Sequence, residues 1–347
     1  MTSHRWMDTR RVQKTGRSSF VVTLPKIWIN KNKILQNQEI GFIAQQDETL
    51  TIIPHPDQIS HEREMHFHIT ATTDLQLFHH ELFASYIIGY SRIIITSEER
   101  ISAALRDLVT DFLATAIGFQ ITQEEDRQLT ISNLIDLSKI KPEVDVERMA
   151  KLVIAMLKDN MTLNPDTARS VMRSDREINK LNHVTGSRMS LMLQDVTIQQ
   201  KFQLPLKVML ANFMIALYLE IIGDNCRLIA NEIINIMESK ENHLESTTQI
   251  FRELKKMNDH VIDMIEKALN AWNQTDKLKA HQVIQSYPIL DQECKDVRNQ
   301  ILSHLNTAAP SLTLIAEHLR KIGKIVLNLA FITIDKYVEE QDLQRES

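Results

Sequence analysis

The heptapeptide Tyr218-Leu219-Glu220-Ile221-Ile222-Gly223-Asp224 returns one hundred residues later as His318-Leu319-Arg320-Lys321-Ile322-Gly323-Lys324. An alanine follows each copy at the same offset, Ala230 and Ala330. A repeat of that period means two related units stacked in one chain. Their secondary structure is constrained as well. No proline lies between Pro205 and Pro288, and the 347 residues include only seven glycines. Helices can therefore run long without a ring clash or a lost N–H. From about Val144 onward the apolar residues keep a helical period. Each unit is expected to be a three-helix bundle: about 145–185 and 202–238 with part of the connecting region, then 240–275, 278–308 and 310–340. The most apolar stretch, Val208 to Ile222, is broken by Asn212 and Glu220 and reads as a buried core helix rather than a membrane span.

The chain before this point is different. Residues 59–140 alternate in type. Met65–Thr70 alternates as a strand, Leu75–Ile88 has helical spacing and Arg92–Thr96 is a short buried strand. Ser97 is the expected cap of a helix to about Ala116, and two more strands flank the turn EEDR. The order is βαβαββ. Residues 8–54 read as mostly β: a β-branched run SFVVTL, a helical turn after Pro25, and strands at Glu39–Ala44 and Leu50–Pro54 around Gln45–Glu48. A segment this short buries too little apolar surface alone, and dimerisation through shared strands is the usual remedy.

Charge divides the chain in the same place. Up to Lys33, eight basic side chains (Arg5, Arg10, Arg11, Lys14, Arg17, Lys26, Lys31, Lys33) stand against Asp8, a surplus of seven. Because the total is −5, the remainder carries −12. A basic head on an acidic body points to a polyanion at one end only. Arg10, Arg11, Lys14 and Arg17 surround Gly16, which can turn the chain sharply. Fixed guanidinium and ammonium groups suit phosphates, although a solvated arm would carry the same charge. Cys226 and Cys294, the two cysteines, form no CxxC pair and read as reduced core thiols of a cytoplasmic protein. The N-terminal MTSHRWMDTRRVQ lacks the apolar core of a signal peptide.

Two stretches resemble known families. RRVQKTGRSSFVVTLPKIWINKNKILQNQEIGFIAQQDETLTIIP is similar to an AbrB/SpoVT (MazE-like) domain: basic strand, glycine turn, β-branched strand, Leu-Pro-Lys, short helix, β-hairpin. The resemblance implies a swapped-hairpin β-barrel formed by a homodimer, with a basic face that binds DNA. Arg10, Arg11, Lys14, Arg17 and Lys26 become the candidate contacts. Leu219-Glu220-Ile221-Ile222-Gly223-Asp224 with Ile229-Ala230 is similar to the LERIGD…IA helix of PhoU domains, which are phosphate-uptake regulators built from two three-helix bundles. Ser174–Asn179 resembles that family's other helix motif. The order, AbrB-like head then PhoU-like body, is that of archaeal phosphate-regulator fusions.

On spacing alone, Glu220 and Asp224 share one helix face, as do Asp175 and Asn179. Where the faces meet, the carboxylates repel unless a cation intervenes. The cation can be a basic neighbour such as Arg227, or a divalent or iron-type ion, which is what the PhoU resemblance implies for Asp175, Asn179, Glu220 and Asp224. The second repeat has Arg320 and Lys324 in place of Glu220 and Asp224, and Asp291-Gln292-Glu293-Cys294-Lys295 opposite. No metal is expected there; Asp291 is expected to pair with Arg320 or Lys324.

The fold expected is multidomain and mainly α: 1–58 AbrB-like, 59–143 an α/β spacer, 144–347 PhoU-like with repeats near 144–239 and 240–347. The function expected is a cytoplasmic, non-enzymatic, DNA-binding regulator of phosphate uptake, or else a dimeric adaptor on a phosphate transporter or signalling protein without DNA binding. Other signals carry nothing. His61-Glu62-Arg63-Glu64-Met65-His66 has the wrong histidine spacing for a zinc helix. His66, His68 and the pair His79-His80 read as half-exposed surface groups. P-loop, GxGxxG and GxSxG motifs are absent, and the methionines of 149–214 read as core filling.

Overall fold

The computed structural model describes residues 8–45, 48–58, 63–194, 196–238, 245–303 and 307–346. Arg5, Gln46, Asp47, His61 and Glu62 lie outside them. The chain divides into two compact units, 1–61 and 62–347.

In the first unit, β1 (Gln13–Thr15) and β2 (Ser19–Val21) form an antiparallel hairpin. Gly16 turns it with φ +67°, a backbone state that a Cβ would strain. Pro25 precedes α1 (Lys26–Lys31), and β3 (Gly41–Ala44) pairs antiparallel with β4 (Leu50–Ile53). The His55 ring ties the end of the unit back, 2.7 Å from the Asn32 carbonyl and 2.7 Å from the Gln38 amide. Within one copy the strands form two separate two-stranded sheets, whereas the closed barrel expected from sequence takes its strands from two copies. Strands of three and four residues from one copy cannot enclose a core, and none of this unit's described residues is buried. Val12, Phe20, Ile27, Leu35, Phe42 and Leu50 all stand exposed.

The second unit begins with β5 (Glu64–Ile69), α2 (Leu75–Ile88), β6 (Arg92–Ser97), α3 (Ala103–Thr115), β7 (Phe119–Glu124) and β8 (Gln128–Asn133). The sheet order is β5-β6-β8-β7. The α2 crossover makes β5 and β6 parallel, and β8 lies antiparallel between β6 and β7. Ile93, Ile95, Leu129 and Ile131 bury one face together with Phe78, Leu82 and Phe112. The expected cap at Ser97 is displaced to Ser102, whose hydroxyl accepts from Leu105 N at 3.2 Å. The intervening residues are tied to the sheet instead: Ser97 N bonds Arg127 O, Glu98 N bonds Ile69 O and Ile101 N bonds Asp126 O.

Seven α-helices follow among the described residues. They are α4 (Pro142–Asn160), α5 (Pro165–Gln194), the short α6 (Val196–Phe202), α7 (Leu206–Glu238), α8 (Glu245–Gln274), α9 (Lys277–Ser303) and α10 (Ala309–Glu346). The single helix expected over 145–185 is two, because Leu163 adopts φ +48° and Pro165 follows. A proline forces its predecessor out of the helical region, and Asn164 Oδ1 caps the new start by accepting from Asp166 N at 2.8 Å. The first bundle is therefore α4, α5 and α7; the second is α8, α9 and α10. They share one core, because α10 packs on α7 as well as on its own partners. Among the described residues one helix, α7, is long and apolar enough to cross a membrane; here it packs against α4, α5 and α10.

The α/β part and the first bundle also share packing. Val184 and Leu191 of α5 belong to the α/β core. Gly89, at φ +88°, ends α2 where a Cβ would come within 2.6 Å of Leu191. Close by lies a buried ion pair between Arg188 of α5 and Asp145 of α4.

Candidate functional site

The two repeats bring their acidic motifs together on facing helices, and Gly223 and Gly323 make that approach possible. A Cβ on Gly223 would meet Ile178 Cδ1 at 3.0 Å, with Asp175 Oδ1 at 3.9 Å. A Cβ on Gly323 would meet Leu290 Cδ2 at 2.2 Å. Each glycine is the point of contact between the repeat's central helix and the helix carrying the opposing acid, a role that sequence reading did not assign.

In the first repeat Asp175 projects from α5 toward α7 and is buried. The cation between the acids is Arg227. Its Nε lies 3.2 Å from Asp175 Oδ2, and its Nη2 donates to Asp224 Oδ1 at 3.2 Å. Burial pushes the Asp175 carboxyl above its ordinary pKa, with Arg227 opposing the shift. Glu220 is raised by burial and by the charges of Asp224 and Asp175. Asp175 Oδ1 and Asn179 Oδ1 are buried without a hydrogen-bond partner, and such orphaned acceptors are costly. Two buried oxygen acceptors with nothing to accept from suit a hard cation in their chemistry, and the cation that contacts Asp175 and Asp224 here is Arg227. Among the described residues, no group of three His, Cys, Asp or Glu side chains is placed to hold a metal.

In the second repeat Arg320 lies 3.4 Å from Asp291 and 2.8 Å from Glu317. Lys295 also reaches Asp291, at 2.8 Å, and these cations hold the Asp291 carboxyl below its usual range. Lys324 turns instead to the Tyr287 ring, 5.3 Å from its centroid. Glu293 is engaged by His260, whose Nδ1 is 2.9 Å from the carboxylate and whose Nε2 is 2.6 Å from Ser286 Oγ. The order Glu–His–Ser is that of a nucleophile triad. Ser286, however, sits inside α9, where backbone N–H groups are spent on the helix ladder and offer an oxyanion no pair of donors.

The described Arg and Lys residues of the first unit are exposed. Lys14 lies on β1, Arg17 beside the Gly16 turn and Lys26 at the start of α1. Arg10 pairs with Asp8 and donates to the Thr9 carbonyl at 3.1 Å. Arg11 precedes the hairpin.

The PhoU domain family matches residues 146–233 and 254–333, one stretch for each bundle. The helical part of this chain carries two PhoU domains. The fold is also similar to that of PhoU from Pseudomonas aeruginosa, with 18% identity and a TM-score of 0.50 over 58% of this chain and 98% of that one. A lower similarity, TM-score 0.46 and 18% identity over 57% of this chain and 93% of the other, is to the phosphate transport system regulatory protein PhoU from Streptococcus pneumoniae. No curated protein matches. Placing the two PhoU domains in register shows what sequence reading passed over: Arg227 corresponds to Leu327 and Leu217 to Glu317. The cation has changed position between copies, from the helix's later turn to its earlier one.

Proposed function

We propose that this protein regulates phosphate uptake by docking its PhoU domains on a partner, a phosphate transporter or a signalling protein, in a non-enzymatic role in the cytoplasm. The observation that carries the reading is the pair of PhoU matches, one over most of each bundle. The test is phosphate uptake in cells lacking the protein. Uptake is expected to stay high in phosphate excess, when intact cells reduce it; an unchanged response would defeat the reading.

A second reading adds DNA. It is favoured by the exposed Arg10, Arg11, Lys14, Arg17 and Lys26 on a unit that buries none of its described residues. A homodimer would cover Phe20, Ile27 and Phe42 as a swapped-hairpin barrel and line up two basic faces. Binding to genomic fragments would then weaken steeply between low and moderate salt. Absence of binding at low salt leaves the adaptor alone.

The first PhoU domain is the candidate for a divalent or iron-type ion. Asp175, Asn179, Glu220 and Asp224 would hold it in exchange for Arg227. In the second domain Arg320 and Lys295 flank Asp291 and repel any cation.

A further inference from the structure

Between the two PhoU domains lies a cavity of about 370 Å³, bounded by α4 and α7 on one side and α8 on the other. Its floor is apolar: Val146, Ala150, Ile154, Leu269 and Trp272. Asn270, Asn273 and Gln274 also line it, and one further amide, Asn212, is buried. Asn212 is 1% exposed, and its Nδ2 donates to the Val208 carbonyl at 2.9 Å. Its Oδ1 is buried without a partner. That oxygen can only accept, so what completes it is an N–H or O–H donor. The charges around the cavity agree: Glu143, Glu147 and Glu266 stand against Lys151 alone.

We infer that this cavity is a binding site for a small organic amine with an aromatic or branched apolar body. The volume is in the range of small-molecule sites. An apolar body covers the floor, where water gains few hydrogen bonds. An ammonium group meets the acidic rim, and an N–H supplies the Asn212 acceptor. Anions, phosphate included, are disfavoured by the same carboxylates, so the site is separate in chemistry from any phosphate recognition. Because its walls come from both PhoU domains, the bound amine would also clamp α4 and α7 to α8.

The test is calorimetric titration of the full chain with tryptamine and with indole-3-propionate, which share a ring and chain length but carry opposite charge. Tryptamine is expected to bind with a Kd below about 1 mM, and the carboxylate at least about tenfold more weakly. Glu147→Gln with Glu266→Gln, both at exposed positions, should weaken tryptamine by about tenfold or more without altering the fold. Ala150→Phe should fill the floor and abolish binding; if that variant unfolds, the rim double variant still decides. No heat with tryptamine, equal affinity for the two probes, or an unchanged affinity in the rim variant would each overturn the inference.

Discussion

The two PhoU domains solve one electrostatic problem in opposite ways. The first domain buries its acid and brings in one cation: Asp175 has a side chain only 9% exposed and relies on Arg227. The second keeps its acid at the surface and surrounds it: Asp291 has Arg320 and Lys295, and Arg320 has Glu317 in addition. Position 327 can then be a leucine of the core. A buried acid with one partner is sensitive to every change around it, whereas a half-exposed acid with two partners is not. A repeat can therefore keep its backbone packing, Gly223 and Gly323 included, while the charge it presents is rearranged.

The largest expected effect lies at the most buried charge of the first domain. Arg188→Met leaves Asp145 uncompensated and is expected to cost about 3–5 kcal/mol, read by denaturant unfolding. A cost below about 1 kcal/mol would show that Asp145 is solvated, and would remove the contrast between buried and exposed charge. Next is the pair Arg227→Met and Arg320→Met. The first should cost about 2 kcal/mol, because Asp175 loses the guanidinium that offsets its burial. The second should cost under about 1 kcal/mol, with Lys295 still in place. Equal losses would break the comparison. Calorimetry with Mn²⁺ or Zn²⁺ sharpens it further: Arg227→Met should gain affinity for the ion and Arg320→Met should not.

The glycines come third. Gly323→Ala places a Cβ 2.2 Å from a buried leucine methyl and is expected to cost about 1–3 kcal/mol. Gly223→Ala meets only the end of Ile178 at 3.0 Å, and the helix preference of alanine offsets about 1 kcal/mol, so it should be near neutral. Thermal unfolding of both variants distinguishes them.

The smallest effects are in pH dependence. Glu220 has a raised pKa in the fold. The folded state thus holds its proton more tightly than the unfolded chain, and this group destabilises the fold above its folded pKa. Glu220→Gln should raise the midpoint at neutral pH, and the gain should vanish as pH falls below the ordinary glutamate range. Asp291 is lowered, so its contribution is present above the ordinary aspartate pKa and disappears on acidification through the folded value. Asp291→Asn should lower the midpoint at neutral pH and do nothing in acid. Shifts of the same sign in the two variants would contradict the comparison.

Local signals in the sequence were reliable where one element decides its own structure. Leu75–Ile88 has a capping Asp74, whose carboxylate accepts from Gln76 and Leu77, and a closing Gly89; its limits are readable residue by residue. The break between α4 and α5 was also written there, as Asn164-Pro165, but helical periodicity on both sides obscured it. Ser97 and Ser102 are both plausible caps in isolation. What decides for Ser102 is the bond from Ile101 N to Asp126, which depends on a strand arriving later. Of the candidate site, the i,i+4 acids and the Asp291–Arg320 juxtaposition follow from repeat register. The ion pair of Asp145 with Arg188, 43 residues apart, and the contact of Gly89 with Leu191 depend on tertiary placement and leave no local trace.

That last contact has a consequence for how such a chain can be assembled by recombination. At 1.5 Å per residue, the 30 residues of α5 span about 45 Å. One stretch of the helix carries Asp175 and another supplies Val184 and Leu191 to the sheet's core. A crossover at the loop before α4 would separate Phe78 and Leu82 from the helix that completes their packing. Because α4 and α5 also pack on α7, which shares its core with α10, no junction between the sheet and α10 keeps both cores intact, and the heritable module is the second unit as a whole.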